Sequence, residues 1–181
     1  MGGDDGKADG RSGRNERDMK RVIVIGCPGS GKTTFAEGLR DVTGLPLYYL
    51  DAIWHKPDKT HIPREAFDVR LAEILALDAW IIDGNYSRTI ECRMTACDTI
   101  FLFDLPTEVC LDGAMSRVGK ERYEMPWIET QFDPEFRQQI EEFPTKELPT
   151  IYELFEKYND KNIIVFKSRK EADVYLKKEL L

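Results

Sequence analysis

Apolar residues occur along the chain in short β-branched runs, separated by stretches with helical spacing. Residues 21–25 form the first run, and a glycine-rich loop follows at once. Phe35, Leu39 and Val42 then recur at three- and four-residue intervals, which predicts a helix over 33–42. Gly44 and Pro46 end it, and 47–50 reads as a second strand that delivers Asp51. Phe67, Leu71, Ile74 and Leu75 share one face of a helix predicted over 63–77, ahead of a third strand at 80–82 that ends on Asp83. A fourth strand, 99–103, ends on Asp104 and leads into a helix over 107–118, and a fifth, 162–166, precedes a closing helix near 170–180. Strands alternating with helices of this length predict right-handed crossovers and a parallel sheet covered on both faces, a three-layer α/β domain. Residues 119–149 break the alternation with charge, proline and aromatics, and read as a lid insertion with a helix near 134–143.

The first eighteen residues carry almost nothing apolar and cannot bury enough surface to offset ordering entropy. Residues 1–18 therefore read as a disordered leader or tag, and 19–181 as a single domain. A length of 181 residues with 41% hydrophobic content suits one core. The apolar runs are strand-sized, far short of the ~20 residues that span a bilayer, and the N-terminus lacks the apolar stretch of a signal peptide. A cytoplasmic location without membrane contact is expected. The net charge of −7 argues against direct nucleic-acid binding, which needs a basic face to neutralise phosphates. Cys27, Cys92, Cys97 and Cys110 form no C-x-x-C pair and stand apart in sequence from His55 and His61, so free thiols are expected rather than a zinc site.

The chemistry enters with the loop after the first strand. Gly26-Cys27-Pro28-Gly29-Ser30-Gly31-Lys32-Thr33 meets the pattern G-x-x-x-x-G-K-[ST], between an apolar strand and a helix start. Gly26, Gly29 and Gly31, with Pro28 and Ser30 between them, let successive backbone N–H groups face one anion, and the helix N-terminus adds partial positive charge there. Lys32 is expected to reach the β- and γ-phosphates of ATP, Thr33 to ligate Mg²⁺ and Thr34 to contact the α-phosphate. The loop alone does not separate kinases from hydrolases or switches.

Ligands of open parallel sheets lie outside the carboxyl ends of the strands, where Asp51, Asp83 and Asp104 are expected. Asp83 is favoured as the acid that orders Mg²⁺, because Gly84-Asn85-Tyr86 follows it as an open turn. Asp104 runs into Leu105-Pro106 and has the alternative reading of a helix cap. Asp51 is expected either to bind a hydroxyl of the acceptor and take its proton, or to serve as a turn or capping residue. Around the migrating phosphoryl group the arginine candidates are Arg117 and Arg88, with Lys120, Arg122 and Arg137 as further charges that a solvated face would equally explain. Trp54, His55 and Trp127 are candidates for stacking on a planar substrate or for core positions.

The segments GCPGSGKTTFAEGLRDVTGLPLYYLDAIWHKPD, WIIDGNYSRT, CDTIFLFDLPTEVCL and NIIVFKSRKEADVYL resemble the DNA topology modulation proteins, also called FlaR-like, over residues 19–181. The resemblance implies the adenylate-kinase-like group of P-loop kinases, with strand order 2-3-1-4-5 and an arginine-bearing lid. It also implies a place for Ser168 and Arg169 near the adenine base. In nucleoside monophosphate kinases a D-G-F-P-R-[TS] motif uses its arginine to grip the acceptor phosphate. Here Asp83-Gly84-Asn85-Tyr86-Ser87-Arg88 sets the arginine one position later and lacks the proline. The leading expectation is a Mg²⁺-dependent ATP phosphotransferase acting on a small, nucleoside- or nucleotide-like acceptor. The alternative is a nucleotide-binding regulator of DNA topology without kinase activity of its own. A GTP switch is disfavoured, since no N-K-x-D-type motif lies near the fifth strand.

Overall fold

The computed structural model of the protein describes residues 19–179, so the reading of 1–18 as a leader lies outside the described residues. Within them the chain runs β1 (Arg21–Gly26), α1 (Lys32–Thr43), β2 (Leu47–Tyr49), α2 (Leu50–Trp54), α3 (Arg64–Leu75), β3 (Trp80–Asp83), α4 (Ser87–Ala96), β4 (Thr99–Phe103), α5 (Thr107–Met115), α6 (Pro134–Lys146), α7 (Leu148–Lys157), β5 (Asn162–Phe166) and α8 (Arg169–Glu179). The strands form one sheet in the order β2-β3-β1-β4-β5, and every neighbouring pair is parallel. The expected three-layer α/β class is the one observed, and so is the strand order that the resemblance implied.

β1 and β4 lack polar alternation because they have no solvent side. Val22 to Ile25 and Ile100 to Leu102 are completely buried, as parallel strands covered by helices on both faces must be. The connection from β1 to β2 moves toward one sheet edge, whereas the later connections move toward the other. Right-handed crossovers therefore place α1 on one face and the helices between β2 and β5 on the opposite one. α8 then returns to pack against α1. Phe35 of α1 centres that first face, its ring meeting Phe101, Phe103 and Phe166 edge-on at 4.8, 5.4 and 5.2 Å. Among the described residues no helix is long and apolar enough to cross a membrane.

Three helices escape the apolar pattern. Leu50, expected to close the second strand, opens α2 instead, because the partner β3 ends at Asp83 opposite Tyr49 and leaves nothing further to pair with. Asp51 consequently lies in the first turn of a helix rather than at a strand end. α4 buries Thr89 and Arg93 beside Ile90 and Met94, so its inner face is half polar and hides the period. α7 begins inside the expected insertion, with Pro149 at a helix start, where a missing N–H costs nothing. The helix expected near 134–143 is α6, whose first turn is capped by the Asp133 carboxylate accepting from the Glu135 N–H at 2.9 Å.

Phe35→Ala should cost about 3–5 kcal/mol, since four aromatic neighbours would border the cavity left behind. Urea unfolding would show this as a lower midpoint at unchanged slope.

Candidate active site

β1 delivers the chain to the phosphate loop at Gly26. A side chain there would meet the Phe103 carbonyl at 2.4 Å, so β1 and β4 approach as closely as backbones can. Gly31 adopts φ 104 and hands the chain into α1 without any side-chain cap, and no acidic residue stands in the first turn. The uncompensated N–H groups of that turn leave the positive end of the helix available to an anion. Gly29, Gly31, Thr33 and Thr34 line a cavity of about 610 Å³, which Arg117 borders as well.

The loop is held from behind by residues far away in sequence. Arg169, the first residue of α8, donates from Nε to the Ser30 carbonyl at 3.2 Å and from Nη2 to the Gly29 carbonyl at 2.9 Å. The same Nη2 reaches Val109 O at 3.2 Å, tying the loop to α5. Arg169 also borders the cavity, but its guanidinium is committed to loop carbonyls rather than left for a base. Ser168 is spent on the helix start, its hydroxyl accepting from the Glu171 N–H at 3.2 Å while the Glu171 carboxylate accepts from the Lys167 N–H at 2.7 Å. Gly113 of α5 went unnoticed in the sequence. A Cβ there would stand 2.0 Å from the Gly29 carbonyl, so α5 supports the loop backbone to backbone. Its signal was available: a glycine inside a helix is costly and marks a close approach.

Two charged groups and a hydroxyl meet in front of the loop. Thr33 donates its hydroxyl to Asp83 Oδ2 at 2.6 Å, while Asp83 Oδ1 is buried and has no hydrogen-bond partner among the described residues. Lys32 is buried and turned onto its own loop, donating from Nζ to the Cys27 carbonyl at 2.9 Å. Burial pushes the Asp83 carboxyl up to about 6 despite the Lys32 ammonium and the Thr33 hydrogen bond. Burial also lowers the pKa of Lys32, against the opposing pull of Asp83. A hydroxyl beside an orphaned carboxylate oxygen is the donor set a hard divalent cation takes, usually through water, so Thr33 and Asp83 fit Mg²⁺.

Asp51 faces this group from α2. Tyr86 donates its hydroxyl to Asp51 Oδ1 at 2.7 Å, and His55 Nε2 stands 3.9 Å from the same oxygen. Tyr86 adopts φ 21, a strained value for a residue with a side chain. Arg93 accounts for its persistence. This fully buried guanidinium donates to the carbonyls of Gly84, Asn85 and Tyr86 at 2.8, 2.7 and 3.0 Å, and burial lowers its pKa to about 10. Asn85 Oδ1 in turn accepts from the Gly26 N–H at 3.3 Å, coupling the loop after β3 to the phosphate loop. None of Asn85, Tyr86 or Arg93 stood out in the sequence as a site residue, although the turn itself did.

The remaining candidates divide. The Arg117 guanidinium makes no hydrogen bond or ion pair with another described residue, and burial together with Arg122 lowers its pKa. Arg122 is shared between Glu124 and Glu129 at 3.1 Å each. Arg88 turns to Asp68 on α3, forming two hydrogen bonds of 3.1 and 2.6 Å. Asp104 neither caps α5 nor joins Asp83; it pairs with Lys167 and accepts from Tyr152 at 2.7 Å. Trp54 stacks on His61 at 4.2 Å, and Trp127 meets the His55 ring edge-on at 5.0 Å.

No protein-family model matches the chain, and no curated protein matches it in sequence. Solved structures do resemble it. A sugar kinase from Janibacter sp. HTCC2649 is 23% identical, with 89% of this chain and 92% of that one aligned at a TM-score of 0.54. Shikimate kinase from Acinetobacter baumannii in complex with shikimate is 16% identical over 91% of this chain and 94% of that one, at 0.58. A gluconokinase from Sinorhizobium meliloti 1021 is 12% identical over 89% of each, at 0.54. The chain shares the fold of these three kinases. These neighbours lend no support to the DNA-topology resemblance.

Two outcomes follow from this geometry. Asp83 titrates near 6 in the folded protein against an ordinary 3.8, so between these values the folded state holds a proton the unfolded chain has released. Its contribution to stability therefore falls as pH rises from about 4 to 6 and then levels off. Without Mg²⁺, the urea-unfolding free energy of Asp83→Asn should gain on that of the parent across this window, by about 3 kcal/mol. Separately, Arg93→Met should cost about 3 kcal/mol or more by leaving three carbonyls unpaired, and calorimetry would read it as a lower Tm.

Proposed function

We propose that the protein is a Mg²⁺-dependent kinase that transfers the γ-phosphoryl group of ATP to a hydroxyl of a small molecule. The observation that carries the reading is the juxtaposition of Thr33, Asp83 and buried Lys32 at the mouth of the loop, with the Asp51 carboxylate acting on Lys32 from across it. The kinase fold of the structural neighbours supports the same class of reaction.

In this mechanism the N–H groups from Gly29 to Thr34 cradle the phosphates, and Ser30, whose buried hydroxyl has no partner among the described residues, adds a donor. Lys32 leaves the Cys27 carbonyl for the β- and γ-oxygens. Thr33 and Asp83 would hold Mg²⁺, which neutralises charge on those oxygens when bound. Asp51 orients the acceptor hydroxyl and takes its proton as the new O–P bond forms and the bond to the β-phosphate oxygen of ADP breaks. Tyr86 fixes Asp51 through Oδ1 and leaves Oδ2 for the substrate. Arg117, whose guanidinium is uncommitted, stabilises charge on the migrating group. Residues 19–181 act as one domain in this reading, and residues 119–149 serve as its lid. Among the described residues all four cysteines are free, which suits a cytoplasmic kinase.

Transfer from γ-labelled ATP to a panel of sugars, nucleosides and nucleotides tests the reading. Lys32→Ala should lose about a hundredfold or more in kcat. Asp51→Asn should lose about 10²- to 10⁴-fold with the KM for ATP nearly unchanged. An unchanged kcat in Asp51→Asn would remove Asp51 as the base, and absence of transfer to any acceptor would remove the kinase.

A further inference from the structure

The acceptor side of the cleft has arginines, yet almost none is left to bind an anion. Arg88, which the sequence offered as a grip on an acceptor phosphate, is engaged by both oxygens of Asp68. Arg122 lies between Glu124 and Glu129 with only 15% of its side chain exposed. Arg93 is buried in its set of loop carbonyls. Arg117 alone of these four is uncommitted, and it borders the donor cavity, where the transferring phosphoryl group claims it. The Arg88–Asp68 pair is about half exposed, so solvent screens it and opening it costs little. Opening it would not help an anion, because Asp68 would remain beside the anion as a like charge.

The other groups near Asp51 point the same way. Burial lowers the pKa of His55 from 6.5, so at neutral pH its ring is uncharged. Glu129 acts on both His55 and Arg117, and Glu124 on both Asp83 and Arg117. With Arg117 given to the γ-phosphate, Asp51, Glu124 and Glu129 face the single charge of Arg122. A carboxylate or phosphate on the acceptor would enter this field against like charge. What the side offers instead is aromatic surface and one acceptor of a proton. Trp127 meets His55 at 5.0 Å, and Trp54, stacked on His61, stands edge-on to Tyr86 at 6.3 Å. The two excess negative charges sit on carboxylates already engaged by the Tyr86 hydroxyl and the Arg122 guanidinium, which leaves little for a cation to bind.

We infer that the acceptor is an electroneutral ring alcohol, a sugar- or nucleoside-type molecule carrying neither phosphate nor carboxylate. Its hydroxyl lies on Asp51 and its ring against the Trp127 and His55 surface. The inference rests on the kinase reading above and narrows it: the arginine positions implied by resemblance to nucleotide-phosphorylating enzymes are filled here by internal ion pairs.

Charge-matched sets of acceptors test this on the full chain with Mg²⁺ and γ-labelled ATP. Suitable sets are glucose, gluconate, glucose 6-phosphate and glucosamine; adenosine and adenosine 5′-monophosphate; and methyl shikimate and shikimate. The neutral member of at least one set should show a kcat/KM about tenfold or more above its charged counterparts. A charged member that equals or exceeds its neutral partner overturns the inference while leaving the kinase standing. Transfer to no member, with ATP bound but unconsumed, overturns both.

Discussion

β1 pairs with β3 so that Val24 lies opposite Asp83, and with β4 so that Gly26 lies opposite Phe103. This register governs everything built at the carboxyl ends of the strands. The chain leaves β1 at Gly26, turns through five residues, and returns as α1 with Thr33 in hydrogen-bonding reach of the Asp83 carboxylate. A slip of one residue would turn Asp83 to the opposite face of the sheet and take its carboxylate from the loop. Because Val22 to Ile25 are buried on both faces, such a slip would gain nothing and lose the packing of both helical layers.

The site that results works against its own stability. Asp83 is buried far enough to protonate near 6, Lys32 is buried beside it, and Ser30 and Asp83 each keep a polar atom without a partner among the described residues. Tyr86 is held at a strained angle so that its hydroxyl reaches Asp51. These are costs that a bound nucleotide and cation would offset, since each of the unmet groups has the chemistry of a phosphate or Mg²⁺ partner. Two arginines, Arg93 fully buried and Arg169 exposed, hold the backbone of the two loops in place. Arg93 gathers the carbonyls after β3, and Arg169 those of the phosphate loop, each using its fork of donors on backbone instead of on an acid.

Much of this was legible from residue order. The strands could be read because full burial writes itself as continuous β-branched runs, and α1, α3, α5, α6 and α8 because proline, glycine or a clear apolar face marks them. α4 could not, since Arg93 and Thr89 occupy its buried face and break the hydrophobic period. Leu50 read as strand because its side chain is apolar and buried, which a helix start satisfies equally well. Gly113 gave a weak signal, and its meaning depended on Gly29, eighty-four positions away.

The sequence by itself determined that a phosphate-binding loop stands between a buried strand and a helix, and that acids end the neighbouring strands, because those features are set by local spacing. Only the tertiary structure decided how each polar side chain is used. Arg88 went to Asp68, Arg122 to two glutamates, Ser168 to a helix start and Arg169 to the back of the loop. A polar side chain is defined by its partner, and partners such as Asp68 for Arg88 and the Gly29 carbonyl for Arg169, 20 and 140 positions away, are brought close only by the fold.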